Sequence, residues 1–359
     1  MKIAFIAGQL GQGGAERQLY YYIKTLKQNG SEPYVLCITR GQFWESKFRE
    51  LGVPVIWVGK STNKLIRLFA IVKEISKRPT DVIHSQHFPM NLYGSMAGLV
   101  LGINSIGSLR SNVYDEIADA GYLGKFSFRL PKLLVCNSEN GIKNAQILGK
   151  TEGQLFYLPN VVDENHFTPS LASTYNQKLK VVFVGTIWPP KRVDRILRVA
   201  KICLDTNINV DFYIYGEGEQ LDQLKRISTN LGVQDKNLHF MGRISDPLAA
   251  YQQSDVFLLT SDREGTPNVL LEAMACGLPI VSTDIGDVSA YIKSGHNGFI
   301  IESPNEEQKI VVSLEMLSNN RLLSKEMGSI NRKIIEEKAS LKTLGRLLTE
   351  LYLPYESTK

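Results

Sequence analysis

Two carboxylates and an amide lie close together within residues 261–284, SDREGTPNVLLEAMACGLPIVSTD. Asn268 and Glu272 are four residues apart and share one polar face of a predicted helix, and Glu264 lies four residues before Asn268. The free N–H groups at a helix N-terminus favour anions, and carboxylates accept hydrogen bonds from hydroxyls. This combination is suited to binding a phosphorylated sugar.

A short strand, a loop and a helix must position these groups. The apolar run VFLLTS predicts a buried strand just before them. Thr266 and Pro267 predict the N-cap and the first-turn proline of the helix, and Gly277 with Pro279 predicts its end.

The same alternation of strands and helices extends over most of the chain. Seven apolar runs in the first half and six in the second predict strands, which are KIAFIAG, EPYVLCIT, VPVIWVG, DVIHSQ, SIGSL, KLLVCNS and LFYLPN, then KVVFVG, VDFYIYG, NLHFMG, VFLLTS, PIVST and GFII. Helices between them predict parallel, doubly wound sheets of α/β type in two Rossmann-like domains. The expected division is an N-terminal domain over 1–160, a polar linker over 161–178, a C-terminal domain over 179–338 and a helix over 339–359 that packs back towards the first domain.

Composition narrows the class of protein. With 359 residues, 43% hydrophobic and 21% charged, the chain has the makeup of a soluble two-domain protein. Its four cysteines stand singly in apolar runs, which predicts buried thiols in a reducing, cytoplasmic compartment, without disulfides or zinc.

Positive charge is concentrated in the first half. Residues 1–160 hold 19 Lys+Arg against 11 Asp+Glu, whereas residues 161–359 hold 22 against 25. No basic stripe with interleaved aromatic residues is present, so we expect an anionic acceptor or an anionic membrane face rather than a nucleic acid.

Two segments raise the question of membrane contact. Residues 88–109 are uncharged and long enough to span a bilayer, but their interior Asn and Ser residues favour a buried helix followed by a strand. Residues 64–78, KLIRLFAIVKEISKR, predict an amphipathic helix on the surface of the sheet, with peripheral membrane docking as the alternative.

Glycine-rich and cationic loops follow several predicted strands, where ligands of doubly wound sheets bind. Gly13 and Gly14, in GQLGQGGAER, would let backbone N–H groups approach an anion, although a ligand-free turn explains them as well. The G-x-G-x-x-G order of dinucleotide sites is absent, which argues against a nicotinamide enzyme. Lys191 and Arg192 follow the first strand of the second domain, at a place suited to a diphosphate.

These motifs resemble those of the retaining family 4 glycosyltransferases, two-domain enzymes of the GT-B fold that use nucleotide-activated sugars. Glu264-Gly265-Thr266-Pro267-Asn268, followed by Leu271-Glu272-Ala273, is similar to the E-x7-E signature of that family. Further matching pieces, in chain order, are Gly13-Gly14-Ala15-Glu16, Pro159-Asn160 with Asp163, Gly185, Lys191, Gly216 with Gly218, and His239-Phe240 with Gly242.

The resemblance implies a role for each motif. Glu272 would accept hydrogen bonds from the nucleotide ribose, Glu264 would contact hydroxyls of the donor sugar, and Lys191 would neutralise the diphosphate. No metal cofactor is expected, because the family uses fixed cations in place of one. The remaining implied donor contacts are Gly13, Gly14, Gly185, Thr186, Arg192, Gly216, Met241, Gly242, Arg243, Gly265, Thr266, Pro267 and Asn268.

The chain departs from the family pattern at three places. Thr186 stands where the family commonly has an arginine, so Arg192 or another side chain would supply that charge. Arg110 stands where a histidine is frequent and would bind a phosphate or an acidic sugar, because an arginine cannot act as a base. Ala290 or Tyr291 replaces a frequent glutamate.

His84 and His87, at another strand end, are candidates for binding the acceptor or for a structural role. The predicted function is transfer of a sugar, with retention, from a nucleotide donor that we expect to be UDP-linked to a hydroxyl of a glycan or lipid-linked acceptor, in synthesis of a cell-surface polysaccharide or glycoconjugate. The alternatives are a nucleotide-sugar epimerase of the same architecture and a non-catalytic nucleotide-sugar-binding partner.

Overall fold

The computed structural model describes residues 1–170, 178–303 and 306–356. The chain divides into two compact units, one formed by Met1–Val161 with Leu341–Lys359 and the other by Val162–Ser340. Of the predicted linker, residues 171–177 lie outside the described residues, and the part from Val162 onwards belongs to the second unit.

The first unit contains a seven-stranded parallel sheet with the order β3-β2-β1-β4-β5-β6-β7. Its strands are β1 (Lys2–Ala7), β2 (Glu32–Cys37), β3 (Val55–Trp57), β4 (Val82–Ser85), β5 (Asn104–Leu109), β6 (Leu133–Cys136) and β7 (Leu155–Tyr157). Its helices are α1 (Gly14–Gln28), α2 (Phe43–Glu50), α3 (Lys64–Ser76), α4 (Met90–Leu101), α5 (Val113–Asp119), α6 (Gly124–Arg129) and α7 (Glu139–Ile147). The C-terminal helix α15 (Leu341–Tyr352) packs against α1.

The second unit contains a six-stranded parallel sheet with the order β10-β9-β8-β11-β12-β13. Its strands are β8 (Leu179–Val184), β9 (Val210–Tyr215), β10 (Leu238–Gly242), β11 (Val256–Leu259), β12 (Ile280–Thr283) and β13 (Gly298–Ile301). Its helices are α8 (Val193–Asp205), α9 (Leu221–Asn230), α10 (Leu248–Gln252), α11 (Asn268–Ala275), α12 (Val288–Tyr291), α13 (Glu307–Asn319) and α14 (Arg321–Lys338).

Burial explains why the strands were recognisable as apolar runs. Strands of a parallel sheet covered by helices on both faces have no polar face. In β1 five of the six residues are buried, and β11 and β12 are buried throughout. All thirteen predicted strands are therefore present, and the prediction of two Rossmann-like parallel sheets is confirmed.

The strand orders locate the edges where ligands would bind. In each sheet the order reverses beside a central strand, between β1 and β4 in the first and between β8 and β11 in the second. Ligands of doubly wound sheets bind at the carboxyl ends of the strands at such a point. In the second unit, the loops that meet there contain Lys191 and Glu264.

The uncharged segment 88–109 forms α4 and β5, the buried helix and strand that its sequence favours. Among the described residues, no helix is both long and apolar enough to cross a membrane.

Candidate functional site

Lys191 and Glu264 meet at the switch point of the second unit. The ammonium of Lys191 pairs with the Oε1 atom of Glu264, and the two side chains are only 14% and 16% exposed. The hydroxyl of Ser261 donates to the same carboxylate oxygen at 3.0 Å. The site thus places a cation directly beside a carboxylate, as the resemblance implies for groups that contact a diphosphate and its attached sugar.

Hydrogen bonds within the second unit fix the loops that carry this pair. Arg195 is 1% exposed, donates to the backbone oxygen of Thr260 at 2.7 Å and pairs with Asp262 at 2.6 Å. The hydroxyl of Thr260 lies 3.2 Å from the backbone oxygen of Lys191, to which it donates. The N–H of Asp262 donates to the backbone oxygen of Pro190 at 2.8 Å. The loop after β8 and the loop after β11 are therefore held together by contacts from both sides.

Arg192 forms ion pairs with carboxylates of its own unit. Its guanidinium pairs with Asp194 and with Asp262, each at 3.0 Å. The hydrogen bonds that the guanidinium donates, first to Asp194 and then to Asp262, raise the pKa of Arg192 and keep it charged. Thr186, the residue in place of the usual arginine, is exposed. A phosphate would have to compete with two carboxylates for Arg192, so Lys191 is the better-placed cation.

The helix α11 begins one residue later than the sequence predicts. Pro267 occupies the N-cap position with extended backbone angles and provides no side-chain cap, so the prediction of Thr266 as N-cap is wrong. The hydroxyl of Thr266 donates instead to the carboxylate of Asp287, at 3.2 Å. This bond directs the Thr266 side chain towards the loop after β12.

Gly286 allows that loop to approach closely. Its φ is +54°, and a Cβ atom at this position would lie 1.8 Å from the backbone oxygen of Gly265. The N–H of Asp287 donates to that same oxygen at 3.2 Å. Gly286 therefore sets the position of the Gly265–Thr266 backbone at the start of α11.

Glu272 is buried, although its position on the polar face of the predicted helix led us to expect an exposed side chain. It is 2% exposed, and its Oε2 atom accepts a hydrogen bond of 3.0 Å from the hydroxyl of Tyr251, which is itself fully buried. Asn268, four residues earlier on the same helix, is partly exposed. The cause is a tertiary contact: Tyr251, on the separate helix α10, covers Glu272, whereas Asn268 stays partly exposed.

The glycines after β8 and β9 allow the backbone of neighbouring loops to pack closely. A Cβ atom at Gly216 would lie 1.9 Å from the backbone oxygen of Gly185, and one at Gly218 would lie 2.1 Å from that of Ile187. The N–H of Gly216 also donates to Gly242 at 2.8 Å. These glycines join the loops after β8, β9 and β10, whatever further contact they make with a donor.

The end of β10 presents side chains to solvent. Met241 is 47% exposed, and Arg243 is also exposed. Between Phe240 and Gly242 the register of β10 against β9 shifts, and Gly242 has a φ of +76°. This irregular strand end presents two side chains to solvent at a place where the resemblance implies donor contacts.

In the first unit, Glu16 occupies the start of α1. A Cβ atom at Gly13 would lie 2.1 Å from the Oε2 atom of Glu16, so the carboxylate folds back over the first turn that Gly14 begins. Burial acts to raise the pKa of Glu16, but the hydrogen bond from His87, with weaker local contacts, outweighs it and lowers the pKa overall. An anion at this helix end would therefore have to lie beside a carboxylate of the chain itself.

His87 has a defined tautomer. Its Nδ1 atom accepts a hydrogen bond from the N–H of Gly8 at 3.1 Å, so the neutral ring carries its proton on Nε2. The Nε2 atom lies 3.2 Å from Glu16, to which it donates. His87 is 18% exposed and links the loops after β1 and β4, and the acceptor contact predicted for it stays a prediction.

His84, the other histidine predicted to bind acceptor, is a structural residue. It is fully buried, and its ring nitrogens form hydrogen bonds with the hydroxyls of Tyr352 at 2.6 Å and Ser108 at 3.2 Å. Burial, together with the nearby charge of Arg110, lowers the pKa of His84 to about 3. The acceptor role for His84 is wrong, because no ring nitrogen reaches solvent.

Arg110 lies at the end of β5, half-buried. It donates to the hydroxyl of Tyr22 at 2.8 Å and to Gln86 at 3.3 Å, and its guanidinium lies over the ring of Tyr22. Its buried Nε atom has no hydrogen-bond partner among the residues that the structure describes. These contacts hold the guanidinium in place at the carboxyl edge of the first sheet.

Structural comparison defines the class of protein. The crystal structure of Anabaena Alr3699/HepE in complex with UDP-glucose superposes with a TM-score of 0.85 over 99% of this chain and 100% of that one, at 20% identity. Together with the two parallel sheets, this likeness confirms the GT-B fold.

Sequence comparison places the chain within that class. Residues 12–166 match the model described as "Glycosyltransferase Family 4", and residues 171–334 match "Glycosyl transferases group 1". Together the two matches extend over most of the chain, and the protein belongs to the family 4 glycosyltransferases.

Individual relatives are distant. The capsular polysaccharide biosynthesis glycosyltransferase CapM of Staphylococcus aureus is 26% identical over 53% of this chain, and the match spans only half of CapM. The UDP-Gal:alpha-D-GlcNAc-diphosphoundecaprenol alpha-1,3-galactosyltransferase of Escherichia coli is 23% identical over 98% of this chain and 97% of its own length.

Proposed function

We propose that the protein transfers a sugar from a UDP-linked donor, with retention at the anomeric carbon, to a hydroxyl of a glycan or lipid-linked acceptor in cell-surface polysaccharide or glycoconjugate synthesis. The observation that carries the proposal is the contact between Lys191 and Glu264. In a nucleotide sugar the anomeric carbon is bonded directly to the diphosphate. A cation for the phosphate and a carboxylate for the sugar hydroxyls must therefore lie side by side, as these two do.

The names of similar proteins support the choice of donor and acceptor. HepE was crystallised with UDP-glucose, and the E. coli galactosyltransferase, which matches nearly end to end, uses UDP-Gal and a diphosphoundecaprenol-linked acceptor by its name. We extend this chemistry to the present chain as a proposal: a UDP-hexose donor and an acceptor sugar on a lipid diphosphate.

The proposed mechanism uses fixed charges. As the bond between the anomeric carbon and the diphosphate breaks, negative charge grows on the leaving oxygen, and Lys191 stabilises it. The leaving oxygen accepts the proton of the acceptor hydroxyl, which attacks from the same face. Glu264 binds sugar hydroxyls and stabilises the positive charge that develops on the ring, and Glu272 accepts hydrogen bonds from the ribose.

We also propose that transfer needs no metal. In this scheme Lys191 and the N–H groups at the start of α11 supply the positive charge near the diphosphate. Full activity after dialysis against EDTA is the expected result, and activity that returns only with Mg²⁺ or Mn²⁺ would contradict this part of the proposal.

The test is a donor screen followed by product analysis. The purified protein is incubated with a panel of UDP-, GDP- and ADP-sugars, and slow donor hydrolysis identifies the preferred donor. The selected donor is then combined with lipid-diphosphate-linked acceptors, and proton NMR of the product gives the anomeric configuration. Hydrolysis of a UDP-sugar and a product with the donor's configuration are expected; an inverted product would refute the retaining mechanism.

The same screen separates transfer from the alternatives. An epimerase would exchange a sugar C–H with solvent without any acceptor, so deuterium uptake into the donor sugar would refute transfer as the reaction. A non-catalytic partner would bind UDP without hydrolysing any donor.

We propose that this reaction takes place in the cytoplasm, at the membrane that holds the lipid-linked acceptor. The four cysteines are free thiols and are all buried, which is compatible with a reducing compartment. Peripheral association with an anionic membrane face would bring the protein to such an acceptor.

A further inference from the structure

Helix α3 carries two apolar faces instead of one. Ile71 and Ile75 are fully buried against the first sheet. At 100° per residue, Leu65 lies on the flank of the helix, and Ile66 and Phe69 lie on the side opposite these isoleucines. They are 74%, 56% and 68% exposed, respectively. A helix that only covers a sheet would present polar side chains there, so the outer apolar face requires another explanation.

Neighbouring helices carry further exposed apolar side chains. Helix α4 packs against both α3 and α6. Leu99 and Val100 on α4 are 72% and 67% exposed, and Phe126 on α6 is 55% exposed. The ammonium of Lys64 lies 5.3 Å from the centre of the Tyr122 ring, which connects the start of α3 to the segment before α6. We call this set the outer apolar surface: Leu65, Ile66, Phe69, Leu99, Val100 and Phe126.

The charges beside the outer apolar surface are mostly positive. Between residues 60 and 78 the chain has six basic residues and one acidic residue, Glu74. Lys73 and Lys77 are exposed and lie on the same side of α3 as Phe69. Glu74 pairs with Lys77 and Arg78 and so leaves Lys73 as an uncompensated charge among the described contacts of this helix.

This combination of exposed apolar and positively charged side chains is suited to one kind of partner, an anionic membrane. A bilayer with anionic lipids offers an apolar layer beneath a negatively charged surface, which complements exposed Leu, Ile and Phe side chains flanked by lysines. A second copy of the chain would bring the same lysines against each other, which disfavours self-association through this surface.

We propose that the outer apolar surface is the place at which the protein docks on an anionic membrane, with Leu65, Ile66 and Phe69 entering the interface and Lys73 and Lys77 facing lipid phosphates. The proposal deepens the proposed function, because it says which face would meet the membrane that holds a lipid-linked acceptor. Its test requires neither donor nor acceptor, so its failure and the failure of the transfer reaction are distinguishable.

The experiment measures binding of the full chain to vesicles by flotation. The vesicles contain phosphatidylcholine alone or an equal mixture of phosphatidylcholine and phosphatidylglycerol. We expect binding to the mixed vesicles and much weaker binding to phosphatidylcholine. The double variant Leu65→Ser, Phe69→Ser should lower the partition coefficient by roughly 100-fold, since each large apolar side chain contributes at least about tenfold.

Two further variants separate charge from apolar burial. The double variant Lys73→Gln, Lys77→Gln should lower binding to mixed vesicles by about tenfold or more and leave binding to phosphatidylcholine unchanged. The matched control is Val312→Ser with Leu322→Ser, whose side chains are 47% and 66% exposed in the second unit. The control should bind like the wild type.

Several outcomes would overturn the proposal. They are a wild-type chain that does not bind anionic vesicles, α3 variants that bind as the wild type does, and a control that loses as much binding as the Leu65 and Phe69 variant. Sedimentation velocity tests self-association: a wild-type dimer that the Leu65 and Phe69 variant converts to a monomer, with vesicle binding unchanged, would also overturn it. Far-UV circular dichroism of the variants should match the wild type, because the replaced side chains are exposed.

Discussion

Burial of His84 should make the first unit sensitive to acid. The ring has a pKa of about 3 in the folded chain, against an ordinary value of 6.5. Between these values the unfolded chain binds a proton that the native chain does not, so stability falls as the pH falls. Each pH unit below 6.5 costs about 1.4 kcal/mol. Between pH 7.5 and pH 4.5 the loss from His84 alone is therefore about 3 kcal/mol.

The variant His84→Asn isolates this loss, because asparagine can form hydrogen bonds but does not titrate. Urea unfolding is followed by tryptophan fluorescence in a Trp188→Phe background, in which only Trp44 and Trp57 of the first unit report. At pH 7.5 the variant should be less stable by about 1–3 kcal/mol, since Tyr352 and Ser108 lose part of their hydrogen bonding. By pH 4.5 that difference should have shifted by about 3 kcal/mol in favour of the variant, so that it vanishes or changes sign. A difference that does not change with pH would refute a buried, neutral His84.

Three further changes test the site of the second unit. Glu264→Gln should lower turnover by about 10²-fold or more while UDP affinity changes much less, because the carboxylate acts on charge that develops in the transition state; wild-type turnover would rule out that role. Tyr251→Phe should weaken UDP binding by about threefold to tenfold, because it removes the hydroxyl that donates to Glu272; unchanged calorimetric affinity would show that the bond has no part in binding. Gly286→Ala should lower kcat/KM by about tenfold or more, since a Cβ there meets a backbone oxygen of the preceding loop; the control is Gly295→Ala, which also has a positive φ and whose added Cβ would have no described atom within 4 Å, and equal losses in both variants would refute the packing argument.

The strands could be predicted because buried strands consist of apolar residues, which are visible as runs in the local sequence. Parallel strands covered on both faces consist of apolar runs, and glycine or proline follows several of these runs directly. The helix start at α11 was misplaced by one residue because Thr266 is a good N-cap in isolation. Its hydroxyl instead bonds to Asp287, a residue twenty-one positions away whose approach depends on Gly286.

The residue types of the candidate site could also be found in the sequence, but their partners could not. The motif around Glu264 and Glu272 is local, whereas Tyr251 reaches Glu272 from a separate helix. Arg195 resembles any charged residue of an amphipathic helix, and only the folded chain shows that it is buried against Thr260. Contacts of this kind depend on tertiary packing, which periodicity does not encode.

The two faces of α3 are a second example of an arrangement that depends on tertiary packing. Its sequence predicts one apolar face towards the sheet, and Ile71 and Ile75 provide it. The exposure of Leu65 and Phe69 on the other side follows from how the helix lies on its neighbours, and a pattern of residue types could not reveal it.

In the proposed function, helix α11 binds the nucleotide part of a sugar donor through Glu272. Calorimetric titration of UDP into the wild type and Glu272→Gln tests it most directly, with the exposed Glu315→Gln as the matched control. We expect UDP to bind the wild type and the control alike and to bind Glu272→Gln at least about tenfold more weakly, because a charged acceptor of ribose hydrogen bonds is lost. Equal affinity for all three proteins would contradict it.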